Sequence, residues 1–316
     1  MSERPAGSSS RAISRRALFG FGLSRVIEQR LASLDALTPD EPSPAELARL
    51  ELEAYRASLR RGWEAGDLGE QGRRLQPAAL ALVDVCAPGP GRRLLDVGAG
   101  DGNVALTAAR RGADVAAVDL SSAAVEAGRA RTEREEAGPI DWLEGDAEAL
   151  PLDDESFDSV ASAFGAMFAP RPRETARELM RVARPGATVG MANWASSGFM
   201  ADALNLATRF APLPTGAQRP ARWGRYETVY LHLFDLAELD VVERSLPLRF
   251  SGADAAARWL AEAPGPPGSV LRELEPELRT RMEGDLLAIA ARHGTEAPDG
   301  GLTVDARYVL VSGTKQ

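Results

Sequence analysis

The chain has 316 residues, 44% of them apolar, a formal net charge of −9 and a pI near 5.0. That length holds one enlarged domain or two small ones with ample material for a buried core, and the acidic balance excludes the broad basic face of a nucleic-acid binder. The single cysteine, Cys86, lies in an apolar run, which excludes an intrachain disulfide and fits a reducing cytoplasm.

Residues 1–43 read as a disordered Ser-, Arg- and Gly-rich tail followed by an amphipathic helix. Phe19, Leu23, Val26, Ile27, Leu31 and Leu34 fall at helical spacing between residues 18 and 37. Ser14-Arg15-Arg16 superficially matches a twin-arginine export signal, yet Arg25, Glu28 and Arg30 break the apolar segment behind it and no stretch is long enough to span a membrane. Residues 44–316 are expected to form one domain, with a cofactor-binding half at about 60–195 and substrate-side loops and helices at about 196–300. Its first helix opens on Ser43 as N-cap, Pro44 at N1 and Glu46 completing a capping box, and is expected to reach about Arg61. Gly62 to Gly69 then leads into a second helix around Pro77 to Cys86.

The densest run of signals is Leu94-Leu95-Asp96-Val97-Gly98-Ala99-Gly100-Asp101-Gly102-Asn103. Leu94, Leu95 and Val97 read as a buried parallel strand, the three glycines as a tight turn that brings a ligand close to the main chain, and Val104 to Arg111 as a helix stopped by Gly112. A dinucleotide fingerprint would place glycine where Asn103 stands. A second strand reads from Ala113 to Ser121, and its terminal carboxylate, Asp119, lies about twenty residues after the glycines, where a ribose-binding acid belongs. Ser121 or Ser122 caps a helix that Gly138 and Pro139 terminate near Ala137. A short strand at Ile140 to Leu143 precedes Gly145-Asp146-Ala147, and the run Ser156 to Gly165 holds a fourth strand.

Farther on, Ala176, Leu179, Met180 and Ala183 mark one face of a helix that begins at Arg171 and ends at Arg184-Pro185-Gly186, and a fifth strand follows at Ala187 to Trp194. Strands are expected near Asp240 to Phe250 and Leu302 to Ser312, with helices near Ala253 to Glu262 and Ser269 to His293 between them.

Taken in order, the strand acid Asp96, the Gly-x-Gly-x-Gly turn, Asp119, Gly145-Asp146-Ala147, Phe157-Asp158 and the Arg-Pro-Gly turn resemble the class I S-adenosylmethionine-dependent methyltransferases, specifically the methyltransferase type 11 branch that includes ubiquinone and menaquinone biosynthesis enzymes. The resemblance covers roughly residues 60 to 195. Phe164 to Pro170 and Pro220 to Gly224 also look like a bacterial subgroup of that branch. The resemblance implies an α/β, Rossmann-like, seven-stranded, mostly parallel sheet with an antiparallel last strand and helices on both faces. Here extra N-terminal helices and a helical insertion before the last strand are added to it.

The resemblance also assigns roles. Gly98, Ala99, Gly100 and Gly102 would hold the methionine part of S-adenosyl-L-methionine, with Asp96 at its ammonium and Asp119 at its ribose. Asp146 and Ala147 would take the adenine, against which Leu120 packs, and Phe164 would close the same crevice. Trp63 is either a packing tryptophan or an aromatic that closes over the cofactor. The small-molecule acceptor would lie among Met167, Phe168, Asn193, Trp194 and Trp223, each of which also has a plain core-packing reading.

An in-line displacement on a methyl carbon activated by sulfonium needs alignment and exclusion of water more than a base. His232 is the one base candidate, because His293 sits near a helix C-terminus, where a structural role is favoured. No metal-ligand spacing, Ser-His-Asp set or phosphate-binding lysine loop is present. Two other readings stand beside methyl transfer: a nicotinamide-dependent oxidoreductase, and a non-catalytic S-adenosylmethionine-binding regulator. The acceptor atom and oligomeric state are left open.

Overall fold

The computed structural model describes residues 43–65, 68–298 and 300–316. The expected N-terminal tail and amphipathic helix therefore lie outside the described residues. Strands β1 (Arg93–Val97), β2 (Asp114–Asp119), β3 (Ile140–Glu144), β4 (Phe157–Ala163) and β5 (Ala183–Trp194) pair in parallel, in the order β3-β2-β1-β4-β5. The sheet continues through β8 (Leu302–Lys315), antiparallel to β5, and β6 (Leu236–Phe250), antiparallel to β8. Leu94, Leu95, Val97, Val118, Val160 and Val189 are fully or almost fully buried, as parallel strands covered on both faces require.

Helices α1 (Pro44–Glu64), α2 (Leu68–Cys86), α3 (Asn103–Arg110), α4 (Ser122–Arg134), α5 (Pro172–Val182), α6 (Phe199–Phe210) and α7 (Tyr226–Leu233) are followed beyond β6 by α8 (Ala253–Glu262), α9 (Gly268–Glu273) and α10 (Pro276–His293). The capping box of α1 forms as expected, with Ser43 accepting from the Glu46 amide and the Glu46 carboxylate accepting from the Ser43 amide. Ser121 caps α4 by accepting from the Ala124 amide.

Four expectations need correction. The sheet has eight strands, not seven, because β7 (Gly294–Glu296) also pairs with β8. Glycine permits that pairing, since a Cβ at 294 would lie 2.5 Å from the Leu302 side chain. The second helix begins at Leu68, not near Pro77, which sits inside it; Gly69 and Gly72 weaken the local helical signal, and the start is held by a tertiary bond from Asn103 Nδ2 to the Gly72 carbonyl (2.7 Å). Arg184-Pro185-Gly186 does not separate helix from strand. It bulges within β5, where the pairing skips from Phe157 with Ala183 to Ser159 with Thr188 and Gly186 adopts φ +79°. The single helix expected over Ser269 to His293 is two, because Pro276 opens a new helix at its first turn.

Candidate functional site

The strands β1 to β5 run in one direction, so their carboxyl ends open onto a common cleft, about 1350 Å³ when its opening to solvent is included. The loop after β1 is its floor. The amides of Gly98 and Ala99 donate to the Val118 carbonyl (2.8 and 3.1 Å), and Gly102 donates to Ala99 (2.9 Å). Gly98 adopts φ +68°, and a Cβ there would come within 2.6 Å of Gly165 Cα on the loop after β4. Only a residue without a side chain lets the two loops cross this closely. Ser162 ties them together, donating to the Val97 carbonyl (2.6 Å) and accepting from the Ala166 amide (2.9 Å).

Asp96 is buried and its Oδ2 accepts from the Ala105 amide in the first turn of α3 (3.0 Å). Burial pushes this carboxyl up to about 7 and nearby Asp119 adds to the rise, while the Ala105 bond opposes it. Asp119 accepts from the Gly100 amide through Oδ2 (2.8 Å) and from the Ser121 amide through Oδ1 (2.9 Å), so it fixes the glycine loop against the end of β2. Its burial also raises its pKa, against the pull of the Ser121, Gly100 and Leu120 amides. Asp101 behaves alike: burial raises it and Arg131, 3.1 Å away, draws it back.

Asp146 accepts from the Glu148 amide (2.9 Å) and stands 3.2 Å from Arg56 Nε of α1. Buried Glu148 in turn receives the Arg56 guanidinium, the Arg171 amide and Arg171 Nε, the last at 2.9 Å. Helix α1 is thus clamped onto the loop that follows β3.

The cleft wall gathers most of the expected residues. Asp96, Gly98, Ala99, Gly100, Asp119, Leu120, Asp146, Ala147 and Phe164 line it. Trp63 lines it too, from the last turn of α1 and not from a loop, edge-on to Phe168 with ring centroids 5.0 Å apart. Phe164 holds φ +56°, an uncommon conformation for a bulky residue, with its ring stacked on Trp194 at 4.0 Å. Gly102 lies behind the wall, where its φ of +96° opens α3 and a Cβ would meet Leu106 and Trp142.

Besides Gly102, four expected residues are not brought to the cleft. Met167 is buried off the wall while its neighbour Phe168 lines it. Asn193 precedes Trp194 on one strand, and the pleat sends successive side chains to opposite faces, so only Trp194 reaches the cleft. Neither Oδ1 nor Nδ2 of the Asn193 side chain finds a partner among the described residues. Trp223 is buried beside His232, ring centroids 5.5 Å apart, and both lie off the wall. Burial, then Arg222 and Arg173, lower the His232 pKa. His293 pairs with Asp202 (2.8 Å), as its structural reading anticipates.

Sequence reasoning missed Arg56, Leu59, Gln71, Asp101, Met200 and Pro266, all on the wall. Arg56 has no local signal, because its partners lie some ninety positions away. Asp101, inside the glycine run, was open to notice as a further acid in the loop.

Residues 95–191 match the methyltransferase domain family. This stretch is a class I methyltransferase domain. Among curated relatives, the uncharacterized protein Rv1405c of Mycobacterium tuberculosis is 38% identical over 171 residues, which are 54% of this chain and 62% of that protein. The ubiquinone/menaquinone biosynthesis C-methyltransferase UbiE of a Ruegeria species is 40% identical over 109 residues, 34% of this chain and 44% of that protein. The matches thus span less than two thirds of the relatives' own length. In fold, the methyltransferase domain and its surroundings are similar to the YcgJ protein of Bacillus subtilis, at a TM-score of 0.53 and 18% identity over 76% of this chain and 98% of that one. Among the described residues no helix is long and apolar enough to cross a membrane, and no group of acidic, His and Cys side chains is placed to hold a metal ion.

Proposed function

We propose that the chain transfers the methyl group of S-adenosyl-L-methionine to a small, largely apolar acceptor. The observation that carries this reading is the charge of the cleft. Among the described residues, Asp96, Asp101, Asp119 and Asp146 line it against one wall cation, Arg56. A ligand with ammonium and sulfonium groups suits that field, whereas the pyrophosphate of a nicotinamide cofactor would meet carboxylates at the turn where it needs donors.

S-adenosylmethionine supplies a methyl carbon whose bond to a cationic sulfur breaks as the acceptor's electron pair attacks from the opposite side. In this reading Asp96 faces the ammonium, Asp119 the ribose hydroxyls, and Asp146 with Ala147 the adenine. Gly98 and Gly100 let the main chain approach, and Leu120 and Phe164 pack on the ligand.

At the acceptor end the wall is Leu59, Trp63, Phe168, Trp194, Met200 and Pro266, none of them titratable. These residues orient the acceptor and keep water out. The proton of an O, N or S nucleophile would then leave to solvent, because among the described residues no protein base stands at that end. The absence of His232 from the wall supports this division of labour.

Calorimetry with S-adenosylmethionine, S-adenosylhomocysteine and NADH tests the cofactor, and transfer of a labelled methyl group to a panel of apolar and aromatic acceptors tests the reaction. Micromolar binding of both S-adenosyl compounds without NADH is the expected result. Binding of NADH alone overturns it, and productive acceptors that are uniformly small and charged overturn the acceptor class.

A further inference from the structure

Among the described residues seven large apolar side chains are substantially exposed, and the four most exposed belong to α7 and the residue that ends it: Tyr226 56%, Tyr230 55%, Leu231 65% and Phe234 63%. Tyr226, Tyr230 and Phe234 recur every four residues and form one stripe, with the two tyrosine rings stacked at 6.0 Å. Thr228, Val229 and Leu233 on the other side are buried, so the helix is anchored by one face and presents the opposite one.

The turn that leads into α7 carries Arg219, Arg222 and Arg225, all exposed. Arg173, exposed at the start of α5, joins the same patch because α5 packs against α7. Other arginines, such as Arg56, Arg131 and Arg181, are spent on carboxylates, whereas these four have no ion pair among the described residues. Glu227 and Asp235 are the exposed acids beside them. A chain of net charge −9 therefore concentrates a local excess of guanidinium at the edge of an aromatic stripe.

We propose that this face seats the protein on an anionic lipid surface, with Tyr226, Tyr230, Leu231 and Phe234 entering the headgroup boundary and Arg173, Arg219, Arg222 and Arg225 meeting lipid phosphates. Aromatic rings with one wet end and flexible cations around them are the side chains such a boundary favours. A second copy of this chain is the weaker occupant, because a two-fold contact through the stripe would bring the two arginine sets together. The patch also adjoins the cleft: the Gln218 amide, beside the arginine turn, donates to the carbonyl of Pro170 on the cleft wall (2.9 Å). Seating the stripe on lipid would bring that rim near the surface.

The test is sedimentation of the full chain with vesicles of phosphatidylcholine, alone or with about one third phosphatidylglycerol, alongside analytical ultracentrifugation without lipid. Binding to the anionic vesicles, weakened by salt and falling about fivefold or more in both Leu231→Ser/Phe234→Ser and Arg222→Glu/Arg225→Glu, is the expected outcome. Both variants alter exposed side chains and should melt with the parent, and Tyr230→Ser gives a milder third variant. The proposal is overturned if the parent stays in the supernatant. It also fails if both double variants sediment like the parent, which would place binding elsewhere on the chain. A lipid-independent dimer dissolved by Leu231→Ser/Phe234→Ser would assign the face to a second copy instead. None of these readouts depends on methyl transfer.

Discussion

Replacing Asp96 with Asn keeps an oxygen to accept from the Ala105 amide but removes the one carboxyl that burial pushes up to about 7. In the unfolded chain this group ionises near its ordinary value of about 3.9, so between about pH 4 and pH 7 the unfolded state gives up a proton that the folded state keeps. A raised folded-state pKa contributes stability that is fully present below pH 4 and is lost as pH rises toward 7. The loss is about 1.4 kcal/mol per pH unit, or about 3 kcal/mol between pH 5 and pH 8. With an unfolding entropy of about 2.1 cal/mol/K for each of 316 residues, that equals about 4 °C in melting temperature.

Scanning calorimetry of parent and Asp96→Asn at pH 5 and pH 8, without ligand, reads this directly. The variant should gain about 4 °C on the parent between the two conditions, because Asp119, raised in both proteins, largely subtracts out. Two melting curves that keep the same separation at both pH values would refute the account of Asp96 as a buried, strained acid. If its ligand is an ammonium, binding at pH 6.5 should also release a proton. Calorimetric heats that depend on buffer in the parent and not in Asp96→Asn would check that.

Asp119→Ala removes the tether on Gly100 and, with it, the carboxylate proposed to hold the ribose, and S-adenosylmethionine affinity should fall tenfold or more by titration calorimetry, with the fold retained in circular dichroism. Gly98→Ala drives a methyl to within 2.6 Å of Gly165 at φ +68°; chemical denaturation should show a loss of about 2 to 4 kcal/mol, and a loss below about 0.5 kcal/mol would mean that the loops do not cross as described. Trp63→Ala should raise the KM for acceptor more than tenfold while S-adenosylhomocysteine affinity changes less than threefold; the reverse split would assign Trp63 to the cofactor.

What was legible in the sequence is what lies within one short run of chain. Asp96, the three glycines and Asp119 come from one β-turn-α-β unit whose strand ends and turn chemistry fix their relative positions locally. The cleft's other members come from residues that meet only through tertiary packing, such as Arg56 with Glu148 or Trp63 with Phe168. Some errors were avoidable. Asn193 and Trp194 cannot both face one pocket from a pleated strand, and the period of two alone decides that at most one belongs. The bulge at Arg184-Pro185-Gly186 was harder, because Pro and Gly mark a helix end and a bulge alike.

The two ends of the cleft also differ in where their residues originate. The acids and the glycine loop lie in 96–146, inside the stretch that matches the family. The apolar end draws Leu59 and Trp63 from before that stretch, Trp194 and Met200 from after it and Pro266 from the insertion, and these meet Phe164, Phe168 and Pro170 from within it. Gly265 binds the distant parts together: its amide donates to the Gly62 carbonyl (3.0 Å), and a Cβ there would lie 2.5 Å from the Trp63 ring. The insertion after β6 is therefore part of the cleft wall and not a separate appendage.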